Sequence, residues 1–302
     1  MLTRRQLLQS VSLAACAGLP ALSTSATDHA YGVIPSSGER IAAIGMGSWL
    51  TFDVAESKPA LKIRSAVLDA FFAGGGSLID SSPMYGSSQA ALGHCLRRLQ
   101  HPDALFSATK VWTPSAWLGE RQMENAHGLW GVERFDLLQI HNLLKWEAHL
   151  ETLLEWRGTG RVRYIGVTTS HGRRHADLLK IIRSQPIDFV QLTYNIRDRE
   201  AEHELLPAAQ EAGIAVIANR PFAGSRLFDK VRRAAMPVWA NDFDCANWAQ
   251  LFLKFVISHP AITCAIPATS RVDHMQENIG ALRGRLPNEG QRRAMALYYA
   301  GQ

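Results

Sequence analysis

Short apolar segments alternate with longer amphipathic ones from about residue 40 onward. Eight of the apolar segments have the length and composition of strands, namely RIAAIGMGS, SLIDS, ALFSATKV, FDLLQIHN, VRYIGVTT, DFVQLTYN, IAVIANRPF and ITCAIPAT. The segments between them, such as KIRSAVLDAFFAG and HADLLKIIRSQ, have the periodicity of helices. Strands that alternate with helices of this length indicate βαβ units and a parallel sheet, and therefore an α/β fold.

Eight such units fit a closed barrel better than an open sheet. A (β/α)8 barrel typically occupies about 250 residues, which is the length that the eight units cover here. The chain of 302 residues shows no internal repeat and no linker rich in Pro, Gly or Ser that would divide it. We therefore predict a single-domain (β/α)8 TIM barrel over residues 27–302.

The first 26 residues have a different character from the rest of the chain. TRRQLLQSVSLAACAGLPALSTSA begins with Arg4 and Arg5, continues into an apolar stretch and ends in small residues. This order resembles a twin-arginine export signal, so we predict a signal peptide over residues 1–26, cleaved after Ala26. The protein would then use the twin-arginine export machinery and be periplasmic. LAAC is also similar to a lipoprotein box, which would place a lipid anchor on Cys16; this alternative ranks second.

Charge and cysteine content exclude several classes of protein. The formal net charge of +5 includes Arg4 and Arg5, and the remaining excess is spread along the chain. This distribution suits a protein that binds one small anion, not a nucleic acid. No apolar stretch outside the N-terminus is long enough to span a membrane. Apart from Cys16, the chain has only three cysteines, and their spacing argues against a disulfide framework or a zinc cage.

Ionisable residues stand where three neighbouring predicted strands end. Asp80 ends the second strand, Lys110 the third and His141 the fourth, while Tyr85 lies in the loop SSPMYG that directly follows Asp80. The carboxyl ends of barrel strands converge at one mouth, where barrel enzymes place their active sites. We therefore expect these four side chains to meet.

Their chemistry suits proton donation to a carbonyl oxygen. An ordinary phenol has a pKa of about 10, and a neighbouring ammonium group favours the phenolate and lowers that pKa. A carboxylate on the far side would hold the ammonium charged, and a histidine would orient the substrate oxygen. Because no side chain can supply a hydride, the reaction requires a nicotinamide.

On these residues the chain resembles the aldo-keto reductases. The resemblance implies a (β/α)8 barrel that reduces aldehydes and ketones with NADPH. It also implies a catalytic tetrad in which Tyr85 is the general acid, Lys110 lowers its pKa, Asp80 supports Lys110 and His141 orients the carbonyl.

The same resemblance implies a set of cofactor-binding residues. Gln191 would contact the nicotinamide amide, the TSR segment at 269–271 the adenosine phosphate, and the EN pair at 277–278 the adenine. The full set is Gly47, Ser48, Trp49, Thr168, Gln191, Asn219, Arg220, Pro221, Thr269, Ser270, Arg271, Glu277 and Asn278.

Some positions depart from the family pattern. Thr168 and Thr169 replace a Ser-Asn pair, and Asn219 stands where many members have a tyrosine that stacks on the nicotinamide. The guanidinium of Arg220 can stack on a planar ring or hold a pyrophosphate, and the sequence leaves both roles open. After His141 the Trp-Pro of better-known members is absent, which leaves the substrate pocket undefined.

The sequence therefore predicts an exported, monomeric, NADPH-dependent reductase of a small carbonyl substrate. It predicts no metal site, because His171 and His175 have helical spacing but no third ligand. The alternative is a non-catalytic nucleotide-binding module or redox-sensing partner subunit on the same barrel. An intact tetrad favours the enzyme, whereas the missing nicotinamide-stacking tyrosine and the export signal favour the module.

Overall fold

The computed structural model describes residues 29–55, 57–100 and 102–302. The predicted signal peptide, with Cys16 and the cleavage point after Ala26, lies outside the described residues. The strands are β1 (Tyr31–Val33), β2 (Arg40–Ala42), β3 (Met46–Gly47), β4 (Leu78–Asp80), β5 (Phe106–Val111), β6 (Phe135–Ile140), β7 (Val162–Thr168), β8 (Phe189–Thr193), β9 (Ala215–Asn219) and β10 (Cys264–Ala265).

The helices alternate with these strands. They are α1 (Lys58–Ala73), α2 (Ser88–Arg98), α3 (Ala116–Trp130), α4 (Trp146–Gly158), α5 (His175–Ser184), α6 (Leu205–Glu211), α7 (Arg226–Val231), α8 (Trp248–Ile257), α9 (Val272–Gly280) and α10 (Glu289–Gly301). Short 3-10 turns occupy His141–Leu143, Glu200–Glu202 and Val238–Phe243.

Eight parallel strands form the barrel. They pair in sequence order from β3 to β10, and a bridge between Ile44 and Ala265 joins the first and last strands. The predicted single-domain (β/α)8 barrel is therefore confirmed. Its core is mainly the layer between sheet and helices, which includes Phe71, Trp130 and Phe252, each fully buried.

The predicted first strand is divided between two sheets. Arg40–Ala42 pairs antiparallel with Tyr31–Val33 in a hairpin, and only Met46–Gly47 joins the barrel. The hairpin lies so close to the barrel that a Cβ added at Gly32 would come within 2.0 Å of the Thr263 carbonyl oxygen. Ile34 and Ile41 pack with Phe106 and other apolar side chains inside the barrel. The hairpin thus covers the end of the barrel where the strands begin.

Local signals in the sequence set the ends of several helices. The Ser115 hydroxyl accepts a hydrogen bond from Leu118 N at the start of α3, and Gly131 ends that helix at a φ of 72°. Such serine caps and left-handed glycines satisfy backbone groups that the helix leaves unpaired. Asn288 and Gln291 form a reciprocal capping box at the start of α10.

Within the described residues, no helix is both long and apolar enough to cross a membrane. Cys95, Cys245 and Cys264 are buried and form no disulfide with one another.

Candidate active site

The ends of three neighbouring strands bring the predicted tetrad together. Asp80 is the last residue of β4, Lys110 lies one residue before the end of β5, and His141 directly follows β6. The Lys110 Nζ lies 5.2 Å from the centre of the Tyr85 ring. The rings of Tyr85 and His141 meet edge to face with centres 5.7 Å apart. The expectation that these four side chains meet is thus confirmed.

Asp80 and Lys110 form a buried ion pair at the base of the site. The Lys110 Nζ donates to Asp80 Oδ2 over 2.5 Å and to the Ser81 carbonyl oxygen over 2.8 Å. The other oxygen of Asp80, Oδ1, accepts from the side-chain amides of Gln139 at 3.1 Å and Gln191 at 3.0 Å. Removing one member of such a pair leaves the other as a buried charge without a partner, which strongly destabilises the folded protein.

Burial dominates the pKa of Tyr85. It raises the pKa of the phenol far above its usual value, and the negative charge of Asp80 raises it further. The pKa of Lys110 is itself lowered by burial, against the opposing effect of Asp80. The expected lowering of the Tyr85 pKa by Lys110 is therefore not found, because the ammonium is paired with a carboxylate and the phenol is desolvated. The phenol stays protonated.

His141 is neutral and held in place by a buried serine. Burial lowers the pKa of His141 to about 3, and the charge of Lys110 acts in the same direction. Its Nδ1 lies 2.8 Å from Ser82 Oγ. The imidazole is therefore a hydrogen-bonding group near neutral pH and carries no charge.

A cavity of about 220 Å³ opens above the tetrad. Asp80, Tyr85 and His141 line it. So do eight of the predicted cofactor residues: Gly47, Ser48, Trp49, Thr168, Gln191, Asn219, Arg220 and Pro221. The other five do not line it. Thr269 and Ser270 lie between β10 and α9, with Arg271 capping α9, and Glu277 and Asn278 lie within that helix.

Gln191 and Asn219 belong to a polar network in the cavity wall. The Gln191 amide donates to Asp80, and the Asn219 amide donates to the Thr169 carbonyl oxygen over 2.8 Å. Asn219 Oδ1 accepts from the Thr193 hydroxyl at 2.7 Å. Where a stacking tyrosine is common in the family, this chain has a buried amide that is already hydrogen-bonded.

Arg220 stands at the mouth of the cavity. It has a left-handed φ of 52°, and its guanidinium carbon lies 6.0 Å from the centre of the Trp49 ring. Burial and the nearby charge of Arg226 both lower the pKa of Arg220. Within the part of the chain that the structure describes, neither arginine has a carboxylate within 4.0 Å. The pair therefore concentrates positive charge beside the cavity.

Arg271 is exposed and already has a carboxylate partner. Its guanidinium donates to both oxygens of Asp273, with Nε 3.0 Å from Oδ1. This pairing raises the pKa of Arg271 and lowers that of Asp273. Beneath the same loop, Arg64 of α1 donates to the Ser270 carbonyl oxygen over 3.3 Å.

Sequence reasoning missed several residues of the site, and three of them are instructive. Gln139 is fully buried in β6, where it is the one amide in the otherwise apolar run LLQI. Ser82 lies between Asp80 and Tyr85 in a loop, where a serine is an ordinary turn residue. The sequence predicted that His171 belongs to a solvated helix start, yet this residue lines the cavity, and burial and the charge of Arg220 lower its pKa.

Comparison with known proteins shows to which family the chain belongs. A model of the aldo/keto reductase family matches residues 43–297. The chain belongs to the aldo/keto reductase family. It is 25% identical over 247 residues to a methylglyoxal reductase of Escherichia coli, across 80% of this chain and 86% of that protein. It is 24% identical over 264 residues to an aldo-keto reductase of Strobilurus tenacellus, across 75% and 78% of the two chains.

The fold of this family member is also that of a solved structure. An aldo/keto reductase from Klebsiella pneumoniae, crystallised in complex with NADP and acetate, superposes with a TM-score of 0.73. The two chains are 24% identical, and the match covers 89% of this chain and 95% of the other. The similarity to this structure shows that the two proteins share a fold. Membership of the family implies that the chain is an oxidoreductase.

Proposed function

We propose that this aldo/keto reductase reduces an aldehyde or ketone with NADPH, with Tyr85 as the general acid. The observation that carries the proposal is the arrangement at the base of the cavity. The buried Asp80–Lys110 pair lies beneath Tyr85, and neutral His141 meets the phenol edge to face. Three of these four groups line the cavity, and Lys110 lies 5.2 Å from the centre of the Tyr85 ring, so that all four have complementary roles in one carbonyl reduction.

The residues around the cavity fit a dinucleotide. Arg220 and Arg226 supply positive charge beside the cavity, which suits a pyrophosphate. Arg271 follows Thr269 and Ser270 on the loop where the family binds the adenosine phosphate. The related Klebsiella enzyme was crystallised with NADP, which supports the same nucleotide here. A bound nicotinamide supplies the hydride that no side chain can provide.

The tetrad handles the proton. A carbonyl oxygen gains negative charge as hydride reaches its carbon, and the protonated phenol of Tyr85 donates to that oxygen. Lys110, 5.2 Å from the ring centre, stabilises the phenolate that remains. Asp80 keeps Lys110 in position, while the amides of Gln139 and Gln191 keep Asp80 in position. His141 offers a ring nitrogen to orient the carbonyl.

Tyr85→Phe tests the proposal because it removes one oxygen and keeps the ring. We expect turnover with a panel of aldehydes and ketones, methylglyoxal included, to fall about a hundred- to ten-thousandfold, while NADPH binding is retained.

Lys110→Met should lower turnover too. The loss of turnover in the double variant should be smaller than the product of the two single losses, since both residues serve one proton transfer. Tyr31→Phe, at the exposed hairpin, is the matched control. A Tyr85→Phe variant with the parent rate would exclude Tyr85 as the acid.

The non-catalytic module remains the second candidate because of Asn219. A buried, hydrogen-bonded amide replaces the aromatic side chain that commonly stacks on the nicotinamide in the family. A parent protein that binds NADPH tightly but turns over no carbonyl in the panel would favour this alternative.

We also propose that the protein is exported through the twin-arginine machinery and is therefore periplasmic. Such signals serve proteins that fold before crossing the membrane, so the nucleotide would be acquired in the cytoplasm. Replacing both Arg4 and Arg5 with Lys should leave the protein in the cytoplasmic fraction. Unchanged export of the double variant would reject the assignment. The mass of the mature N-terminus would distinguish cleavage after Ala26 from lipidation at Cys16.

A further inference from the structure

Ser82 is fully buried beside His141 and makes two hydrogen bonds. It lies two residues after Asp80, in the loop between β4 and α2. Its Oγ lies 2.8 Å from His141 Nδ1 and accepts a hydrogen bond from Met84 N over 3.2 Å. Both side chains are buried, with Ser82 0% and His141 6% exposed, and only His141 lines the cavity.

These two contacts determine whether Ser82 or His141 donates the hydrogen bond between them. A neutral imidazole has one N–H donor and one acceptor nitrogen, and a hydroxyl has a single hydrogen to donate. If Nδ1–H donated to Ser82, the Oγ would accept twice, and its own hydrogen would have no partner among the described residues. A buried donor without a partner is unfavourable. The arrangement that satisfies every group has Ser82 donating to Nδ1, which leaves the proton on Nε2.

We propose that Ser82 is a positioning residue that fixes His141 as the Nε2–H tautomer. The proposal rests on the proposed carbonyl reduction. With Nδ1 bonded to Ser82, the Nε2 edge of the ring is left for the cavity that His141 lines. An Nε2–H group donates to the substrate oxygen and cannot accept the Tyr85 proton. The phenol hydrogen is therefore reserved for the substrate, and two donors converge on one carbonyl oxygen.

The tautomer is measured directly by the nitrogen shifts of His141 in the folded protein with 15N-labelled histidine. His141→Asn identifies the signals by their loss. We expect the parent to show the Nε2–H form near neutral pH, and Ser82→Ala to show a mixture of the two forms. An Nδ1–H form in the parent would overturn the proposal. The spectrum needs no turnover, so a failure of the proposed reaction and a failure of this proposal remain distinguishable.

Kinetics give the second measurement. Ser82→Ala should lower kcat about tenfold and leave NADPH affinity unchanged, because the serine acts only through His141. Ser82→Thr keeps the hydroxyl and should restore most of the rate. Ser65→Ala is the matched control, since Ser65 is a buried serine of α1 that does not line the cavity. A Ser82→Ala variant with the parent's tautomer and the parent's rate would reject the proposal.

Discussion

Tyr85 and His141 both remain neutral near neutral pH, and burial is the first cause for each. Burial disfavours the charged form, so it raises the pKa of the phenol and lowers that of the imidazole. In the proposed reduction the site would therefore present two hydrogen-bond donors to a substrate oxygen instead of a phenolate and an imidazolium. In the proposed reduction, the strength of Tyr85 as an acid would come from the charge that develops on the substrate and from Lys110 beside the phenolate.

The proposed choice of NADPH also depends on single residues, because Arg271, which we assign to the adenosine phosphate, already forms an ion pair with Asp273. Both groups are exposed, so their pairing is weak and a phosphate can compete for Arg271. Asp273→Asn removes a negative charge from that place and frees the arginine. We predict that it strengthens NADPH binding about two- to fivefold and leaves NADH binding nearly unchanged. Fluorescence titrations with NADPH and with NADH measure the ratio of the two dissociation constants.

Asp229→Asn is the matched control, because Asp229 forms an exposed ion pair with Arg232 on another helix. Arg271→Ala should weaken NADPH selectively, since it removes the charge that grips the phosphate. If Asp273→Asn and Arg271→Ala change the affinities for NADPH and NADH by equal factors, the arginine does not contact the 2′-phosphate.

At the scale of elements, alternating apolar and amphipathic segments were enough to predict the barrel. They were not enough to predict which sheet each strand joins. RIAAIGMGS reads as one strand because Ile41, Ile44 and Met46 are all apolar and all buried. In the structure the first half pairs within the hairpin and the second half within the barrel. Periodicity reports burial, and Ile41 is buried against the barrel interior as fully as a barrel residue.

The clustering of the four predicted side chains could be predicted because each stands at the end of a strand or in the loop that follows it. The side-chain contacts between strands could not be predicted in this way. Gln139 reaches Asp80 only because β6 and β4 flank β5 in a fixed register, which no local pattern encodes. The pKa direction of Tyr85 was predicted wrongly for a related reason. The sequence shows that Lys110 is present, but only the packed structure shows how far the phenol is desolvated.

For the molecule as a whole, the two ends of the barrel have different tasks. The hairpin and the side chains beneath it fill the end where the strands begin, and Tyr164 there donates to Glu39 over 2.7 Å. The tetrad and the cavity occupy the end where the strands finish. This division is the general one for barrel enzymes, in which one end supports the fold and the other carries the chemistry.

The buried His141 and the partly buried His259 make the stability of the folded protein depend on pH. Burial lowers the pKa of His259 to about 4, as it lowers that of His141 to about 3. His259 Nδ1 also accepts a hydrogen bond from Ala261 N, which a protonated ring could not do. In the unfolded chain both histidines would titrate near the ordinary value of about 6.5. Between these values the unfolded state binds more protons than the folded state.

We therefore predict that the free energy of unfolding falls as the pH is lowered from 7 towards 4.5. The sign follows from linkage, because acid favours the state that binds more protons. Each histidine contributes at most about 1.4 kcal/mol per pH unit in this window. Urea unfolding at several pH values measures the slope, and His259→Gln should reduce it, with the exposed His94→Gln as the matched control. A free energy that stays constant or rises on acidification would show that these imidazoles are protonated in the folded protein.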